Sequence, residues 1–206
     1  MSLYEKYVLP KFLNCACGSR PVERQRKKVV PLAGGKVLEI GIGSGLNIPF
    51  YDKSKIVEVW GLDPSDALSE MAKKVALNES LEINFISSGA EEIPLPDNHF
   101  DTVLITYTMC TIPEVLRAND EIRRVLKSEG KMIFCEHGVA PDENIRKWQN
   151  RINPYWGMLA GGCNINRDIP SLIEDSGFDI IELEEMYLPK TPKIAGYNYW
   201  GYAVAK

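Results

Sequence analysis

Across its 206 residues the chain has no apolar run near the roughly 20 residues a bilayer span needs, so no transmembrane segment is expected. It has no excess of basic charge. Twenty-four Lys and Arg stand against 28 Asp and Glu, a net charge of −4, which argues against a protein that grips nucleic-acid backbone. The first residues, Met1-Ser2-Leu3-Tyr4-Glu5-Lys6, lack the apolar core of a secretory leader, and a cytoplasmic protein is expected. Histidine is scarce, with only His99 and His137. Of five cysteines, Cys15 and Cys17 form a C-x-C pair while Cys110, Cys135 and Cys163 lie far apart in sequence. An odd count fits reduced thiols better than a disulfide framework. No second close cysteine pair completes a tetrahedral zinc site, so no metal is expected. Internal repeats, low-complexity tracts and linker-like shifts in composition are also missing, which leaves one domain over 1–206.

What is present is an alternation. Short β-branched runs are each followed by a helix-compatible stretch, the pattern of an α/β fold with a mainly parallel sheet. The strand candidates are KVLEIG from Lys36, IVEVWGL from Ile56, Ile83 to Ser87, FDTVLITY from Phe100, KMIFCE from Lys131, Phe178 to Leu188, and YNYWGYAV from Tyr197. Helices are expected over 64–78, 113–127, 144–152 and 169–175. The last two strands are joined only by residues 189–196, too short for a parallel crossover, so the final strand is expected to run antiparallel. The first 30 residues read as helical, with Tyr4, Tyr7, Val8, Phe12 and Leu13 at helical spacing. The basic run from Arg20 to Lys28 reads as a solvated helix face, with a functional patch as the alternative. Residues 153–168 read as a long loop of the kind that often forms a lid.

One glycine loop stands out. β-Pattern residues Leu38-Glu39-Ile40 run straight into Gly41-Ile42-Gly43-Ser44-Gly45, where glycines let backbone pass close to a ligand. A dinucleotide fingerprint needs its third glycine at Leu46, and here it comes one residue early. About twenty residues on, Asp63 ends the second strand. A carboxylate there can accept both ribose hydroxyls of an adenosine, and it can equally cap the helix that follows Pro64.

With these residues in view the sequence resembles the class I S-adenosylmethionine-dependent methyltransferases. The likeness is carried by VLEIGIGSG (37–45), GLDPS (61–65), GAEEIPLPDNHFD (89–101) and LKSEGK (126–131). It implies a Rossmann-like methyltransferase fold: α/β, with a seven-stranded mostly parallel sheet, an antiparallel last strand, and helices on both faces. It implies S-adenosyl-L-methionine as cofactor, held by the half of the chain over 36–136. The implied contacts are Glu39, Gly41 and Gly43 for the methionine part, Gly45 for the turn, Asp63 for the ribose, Pro64 and Ser65 beside the adenine, Ala90 and Glu91 bracketing that ring, and Thr106 near the methionine carboxylate. Many relatives carry Asp where Gly89 stands, so either a backbone carbonyl or Ser88 is expected to substitute, or adenine is selected less strictly. Further likenesses at YEKYVLP (4–10), TYTMCTIP (106–113), EHG (136–138) and AGGCNINRDIP (160–170) point to small bacterial methyltransferases similar to animal thiol methyltransferases of the methyltransferase-like family.

Methyl transfer from an activated sulfonium asks the protein mainly for positioning and desolvation. A thiol, with a reference pKa near 8.5, needs little help from a base. The expected acceptor is therefore a small, apolar molecule, with a thiol favoured. Glu136 and His137 at the end of the fifth strand and Tyr107 after the fourth are the catalytic candidates, His137 as a base or as a structural histidine. Cys110 is expected to line the site. Trp156 and Met158 are expected to form an apolar acceptor wall, while Asn166 and Arg167 orient polar atoms or Arg167 and Asp168 brace the loop. Residues 1–30 are expected to form a lid or to touch a membrane face peripherally. Competing readings are a quinone, lipid or amine acceptor, a nicotinamide-dependent oxidoreductase (disfavoured by the glycine spacing), and a cofactor-binding protein without turnover.

Overall fold

The computed structural model describes residues 9–206. Helices α1 (Leu9–Cys17) and α2 (Arg20–Val29) lead into β1 (Gly35–Ile40), β2 (Ile56–Leu62), α3 (Asp66–Glu79), β3 (Ile83–Ile86) and β4 (Phe100–Thr106). Then follow α4 (Val115–Val125), β5 (Leu126–His137), α5 (Glu143–Leu159), α6 (Ile169–Asp175), β6 (Phe178–Tyr187), α7 (Lys193–Gly196) and β7 (Tyr197–Ala205). The seven strands lie in the order β3-β2-β1-β4-β5-β7-β6. β1 to β5 pair in parallel, while β7 is inserted between β5 and β6 and runs antiparallel to both. This is the expected Rossmann-like methyltransferase architecture, including the antiparallel last strand.

Alternation along the central strands divides the core in two. Leu38, Ile40, Val103, Ile105, Met132 and Phe134 face one side, where Ala118 and Ile122 of α4 and Ile169 and Ile173 of α6 cover them. Val37, Leu104, Ile133 and Cys135 face the other, against Val29 and Val30 at the end of α2. A period of two puts successive residues on opposite faces, and both faces here are buried. The strands therefore read as continuous apolar runs.

Three expectations need correcting. The stretch 153–168 is not one loop: α5 continues through Pro154 to Leu159, and only 160–168 is turn and coil. Pro154 removes one backbone donor without ending the helix. The helix of 64–78 begins at Asp66, with Ser65 as its cap. The helix expected over 113–127 spans Val115–Val125, and Leu126 already begins β5. In the N-terminal segment, 9–17 and 20–29 are helical as expected, while Tyr4, Tyr7 and Val8 lie outside the described residues.

Candidate functional site

β1 delivers the chain to the carboxyl edge of the sheet, where parallel α/β folds bind ligands. The turn after it needs left-handed backbone at Gly41 (φ 68°) and Gly43 (φ 55°). A Cβ on Gly41 would overlap the Thr108 side chain, whereas at Gly43 it would meet little beyond the Gly41 carbonyl at 3.8 Å. Gly41 is thus fixed by packing, and Gly43 leaves room above the loop. The room is real. A cavity of about 320 Å³ opens there, lined by Gly41, Gly43, Asp63, Pro64, Ser65, Gly89, Ala90, Glu91, Thr106 and Tyr107 among others. These bring together nearly all the cofactor residues expected from the sequence.

Asp63 Oδ2 accepts from the Gly43 N–H at 2.9 Å and Oδ1 from the Ser65 N–H at 2.8 Å. Each oxygen keeps a lone pair for a ligand. The helix cap is Ser65, whose hydroxyl oxygen accepts from Leu68 N–H, so capping does not account for Asp63. Burial raises the Asp63 pKa against the pull of its two backbone bonds. Ser88 sends its hydroxyl to the Glu92 carbonyl at 2.8 Å and does not line the cavity, whereas Gly89 does. The Gly89 carbonyl accepts from the Glu92 N–H at 3.4 Å and from the Ser88 hydroxyl at 3.3 Å.

Below the cavity floor lies a buried polar network. Arg26 Nη1 donates to Asn47 Oδ1 and to Thr106 Oγ1, both at 2.6 Å. Asn47 Nδ2 donates to Thr106 Oγ1 and to Glu39 Oε1, both at 2.9 Å, and Tyr51 OH donates to Glu39 Oε2 at 2.7 Å. Glu39 does not itself line the cavity; it holds Asn47 and Tyr51 in place beneath it. Burial pushes the Glu39 carboxyl up to about 7, although Tyr51, Arg26 and Asn47 all favour its charge. Arg26 lines the cavity, stands 5.1 Å from the centre of the Tyr107 ring, and has a buried Nε with no partner among the described residues. The basic run is therefore divided: Arg20, Arg24, Lys27 and Lys28 are exposed and Arg26 is 5% exposed. A finer reading was open, because Arg26 shares the buried side of α2 with Gln25 and Val29.

The three catalytic candidates sit differently from one another. Tyr107 lines the cavity with its ring, in left-handed backbone (φ 52°), and its hydroxyl donates away to Asn198 Oδ1 at 2.7 Å. Glu136 is fully buried, and its Oε1 accepts from the Thr108 and Met109 N–H groups at 2.7 and 2.9 Å. His137 is partly buried, with Nε2 3.3 Å from Cys163 Sγ. Neither Glu136 nor His137 is among the described residues that line the cavity. His99, expected to face solvent, is partly buried beside Glu58 and packs edge-on against Phe100.

Around Cys163 the elements of the former loop converge. Arg167 donates to the carbonyls of Met109 and Ile112, and Asp168 caps α6 at Ser171 N–H, so this pair braces the turn after β4. Asn166 is bonded to Asn150. Trp156 packs on Cys110, Ala160 and Cys163, while Met158 is 72% exposed and forms no cavity wall. Sequence distance hid one more grouping: Cys110, His137 and Cys163 bring their ligand atoms within 4.8 Å of one another. Its members lie too far apart in sequence for any close pair along the chain to mark them.

A model of the methyltransferase domain matches residues 38–134. The human thiol S-methyltransferase TMT1B is 30% identical over 175 residues, covering 80% of this chain and 71% of that protein. Human TMT1A, also a thiol S-methyltransferase, is 28% identical over 172 residues, covering 82% and 70% respectively. Among solved structures, a SAM-dependent methyltransferase from Aquifex aeolicus superposes with a TM-score of 0.66 at 18% identity, covering 96% of this chain and 97% of that one.

Proposed function

The chain belongs to the class I S-adenosylmethionine-dependent methyltransferases, and on that premise we propose that it methylates a small, apolar acceptor, a thiol. The observation that carries this reading is the cavity itself. It has carboxylate chemistry at Asp63, a cationic wall at Arg26, and a glycine floor between them. The residues present fit the cofactor: the two free Asp63 lone pairs suit a ribose diol, and the Arg26 guanidinium on the cavity wall suits a carboxylate. The thiol is supported by the two human relatives, both named thiol S-methyltransferases.

S-adenosylmethionine bound here would supply a methyl group already activated on sulfonium. The protein's share is placement. Asp63, with Pro64 and Ser65, holds the nucleoside end, and Ala90 and Glu91 close over the base. Gly41 and Gly43 bring backbone close to the methionine part, and Gly45, packed against Ile48 and Ala72, keeps the turn tight. Arg26, seated by Thr106, Asn47 and Glu39, holds the carboxylate end. Glu136 is a positioning residue: it ties down Thr108, whose side chain fills the space against Gly41. Tyr107 contributes ring surface and the Arg26 contact. The His137 nitrogen facing Cys163 is committed there. No base need touch the acceptor, since a thiol near its reference pKa is partly ionised at neutral pH. Residues 36–136 together with Arg26 form the cofactor side, and Asn14 and Cys17 of α1 with Gly161 border the same cavity and are left for the acceptor.

The test is a labelled-methyl assay across thiols, quinones, lipids and amines, with binding calorimetry for S-adenosylmethionine and NAD. Labelled thiols and heat from S-adenosylmethionine alone are expected. Label on a quinone, lipid or amine and none on any thiol overturns the acceptor assignment.

A further inference from the structure

Two thiols and an imidazole have been carried together from three separate segments. Cys110 comes from the turn after β4, His137 from the last position of β5, and Cys163 from the turn after α5. The Sγ atoms of Cys110 and Cys163 are hydrogen-bonded at 3.6 Å, and His137 Nε2 is 3.3 Å from Cys163 Sγ. A tetrahedral ion with bonds of about 2.3 Å to sulfur and about 2.0–2.1 Å to nitrogen places its ligand atoms roughly 3.5–3.8 Å apart. The two spacings from Cys163 lie within a few tenths of an ångström of that, and the Cys110 sulfur and the His137 ring lie within 4.8 Å of each other.

The frame is built. Asn164 donates from both its backbone N–H (2.9 Å) and its Nδ2 (3.1 Å) to the Cys110 carbonyl, locking the two cysteine-bearing turns together. Gly161 and Gly162 take left-handed backbone (φ 61° and 87°) to bring Cys163 inward. Arg167 binds the carbonyls on either side of Cys110. The cysteines are 2% and 7% exposed and reduced. His137 Nδ1 is buried with no partner among the described residues, so the ring is not held in the manner of an ordinary core histidine. Cys110 and the His137 ring favour the Cys163 thiolate, lowering its pKa, while Cys110 itself is pushed up beside it. A lone thiolate in this setting is costly to bury. Two thiolates, a neutral imidazole and one divalent ion sum to zero charge, and the cost falls away.

We propose that Cys110 Sγ, Cys163 Sγ and a His137 ring nitrogen bind one thiophilic divalent ion, zinc by ligand type. Loading leaves both sulfurs as thiolates and the imidazole neutral, so the proton on Cys110 and the one shared between Cys163 and His137 are released to solvent, and no electrons move.

The test uses the whole chain, reduced with a phosphine and freed of metal, titrated with Co²⁺ and then Zn²⁺ without oxygen. One equivalent of cobalt is expected to produce a thiolate charge-transfer band and tetrahedral d–d bands, which zinc then abolishes. Cys110→Ser and Cys163→Ser are expected to weaken cobalt binding by more than tenfold and to lose the band. His137→Gln should weaken binding by about tenfold and shift the d–d bands. A Cys15→Ser/Cys17→Ser variant should keep the full signal. The metal-free variants are compared by thermal unfolding, and a variant that has unfolded is replaced by its alanine counterpart. No band in the parent protein, a band that survives in Cys110→Ser or Cys163→Ser, or a band lost with Cys15 and Cys17 overturns the proposal. The readout is spectroscopic and does not depend on methyl transfer.

Discussion

Arg26 Nη1 and Thr106 Oγ1 meet at 2.6 Å across eighty positions of sequence. The bond joins an N-terminal helix to the end of β4 directly at the cavity. It makes the first segment part of the site and not an appendage to it.

Replacing Arg26 with Ala should lower affinity for S-adenosylmethionine at least tenfold. It should also cost about 1–3 kcal/mol of stability, because Asn47 and Thr106 lose a buried partner. Lysine keeps the charge but not the fork, so Arg26→Lys should fall between the two. Calorimetry on folded variants decides. Parental affinity in Arg26→Ala would leave Arg26 a purely structural role.

Asp63→Asn should weaken the cofactor by roughly tenfold, in line with about 1.5 kcal/mol for a hydrogen bond to a charged group. Asp63→Ala should weaken it further and also unseat Gly43 and Ser65, whose N–H groups lose their acceptor. An unchanged dissociation constant in Asp63→Asn would move the ribose elsewhere.

Gly41 and Gly43 should separate when each is changed to Ala. Both need positive φ, which costs about 1 kcal/mol for alanine. Only Gly41→Ala also collides with Thr108, so it should be the more destabilising by thermal unfolding. Gly43→Ala should keep its fold and lose cofactor affinity. Equal unfolding temperatures would refute the difference in packing.

Glu39 predicts a pH dependence. Its carboxyl rises from an ordinary 4.5 to about 7 on folding, so the folded state binds the proton more tightly than the unfolded one. That contribution is fully present below about pH 4.5 and is lost as pH rises toward 7. The loss amounts to about 3 kcal/mol. Glu39→Gln, which carries no proton to lose, should gain on the parent protein across this window and then hold a constant lead. Urea unfolding at several pH values measures it, and parallel curves would sink the prediction.

Legibility in the sequence followed distance along the chain. The glycine loop, Asp63, Ala90 and Glu91 were readable because each lies where a strand ends, and strand ends are local patterns. Arg26 was read as surface because its neighbours Arg24, Lys27 and Lys28 are, and a helix assigns sides one residue at a time. The Cys110–His137–Cys163 group depends on turns that approach only after folding, which spacing does not encode, whereas the Arg167–Asp168 brace is one of the two readings the sequence leaves open there. Pro154 marks no boundary: the helix runs five residues beyond it to Leu159. A missing donor costs one bond, and the packing of Trp156 on Cys110 and Cys163 lies on the far side of it.

The place of β7 has a kinetic consequence. β5 and β6 are never neighbours; each waits for a strand that leaves the chain after both of them. Until β7 arrives, the residues Met132 to Cys135 present an open edge, and β6 has no sheet to join. Closing this seam brings His137 opposite Asn198, a separation of some sixty residues, and such long loops close slowly. The cofactor half can therefore collapse early while its flank stays adhesive. Crowding at that stage favours clumping between nascent chains over anything that happens to the finished molecule.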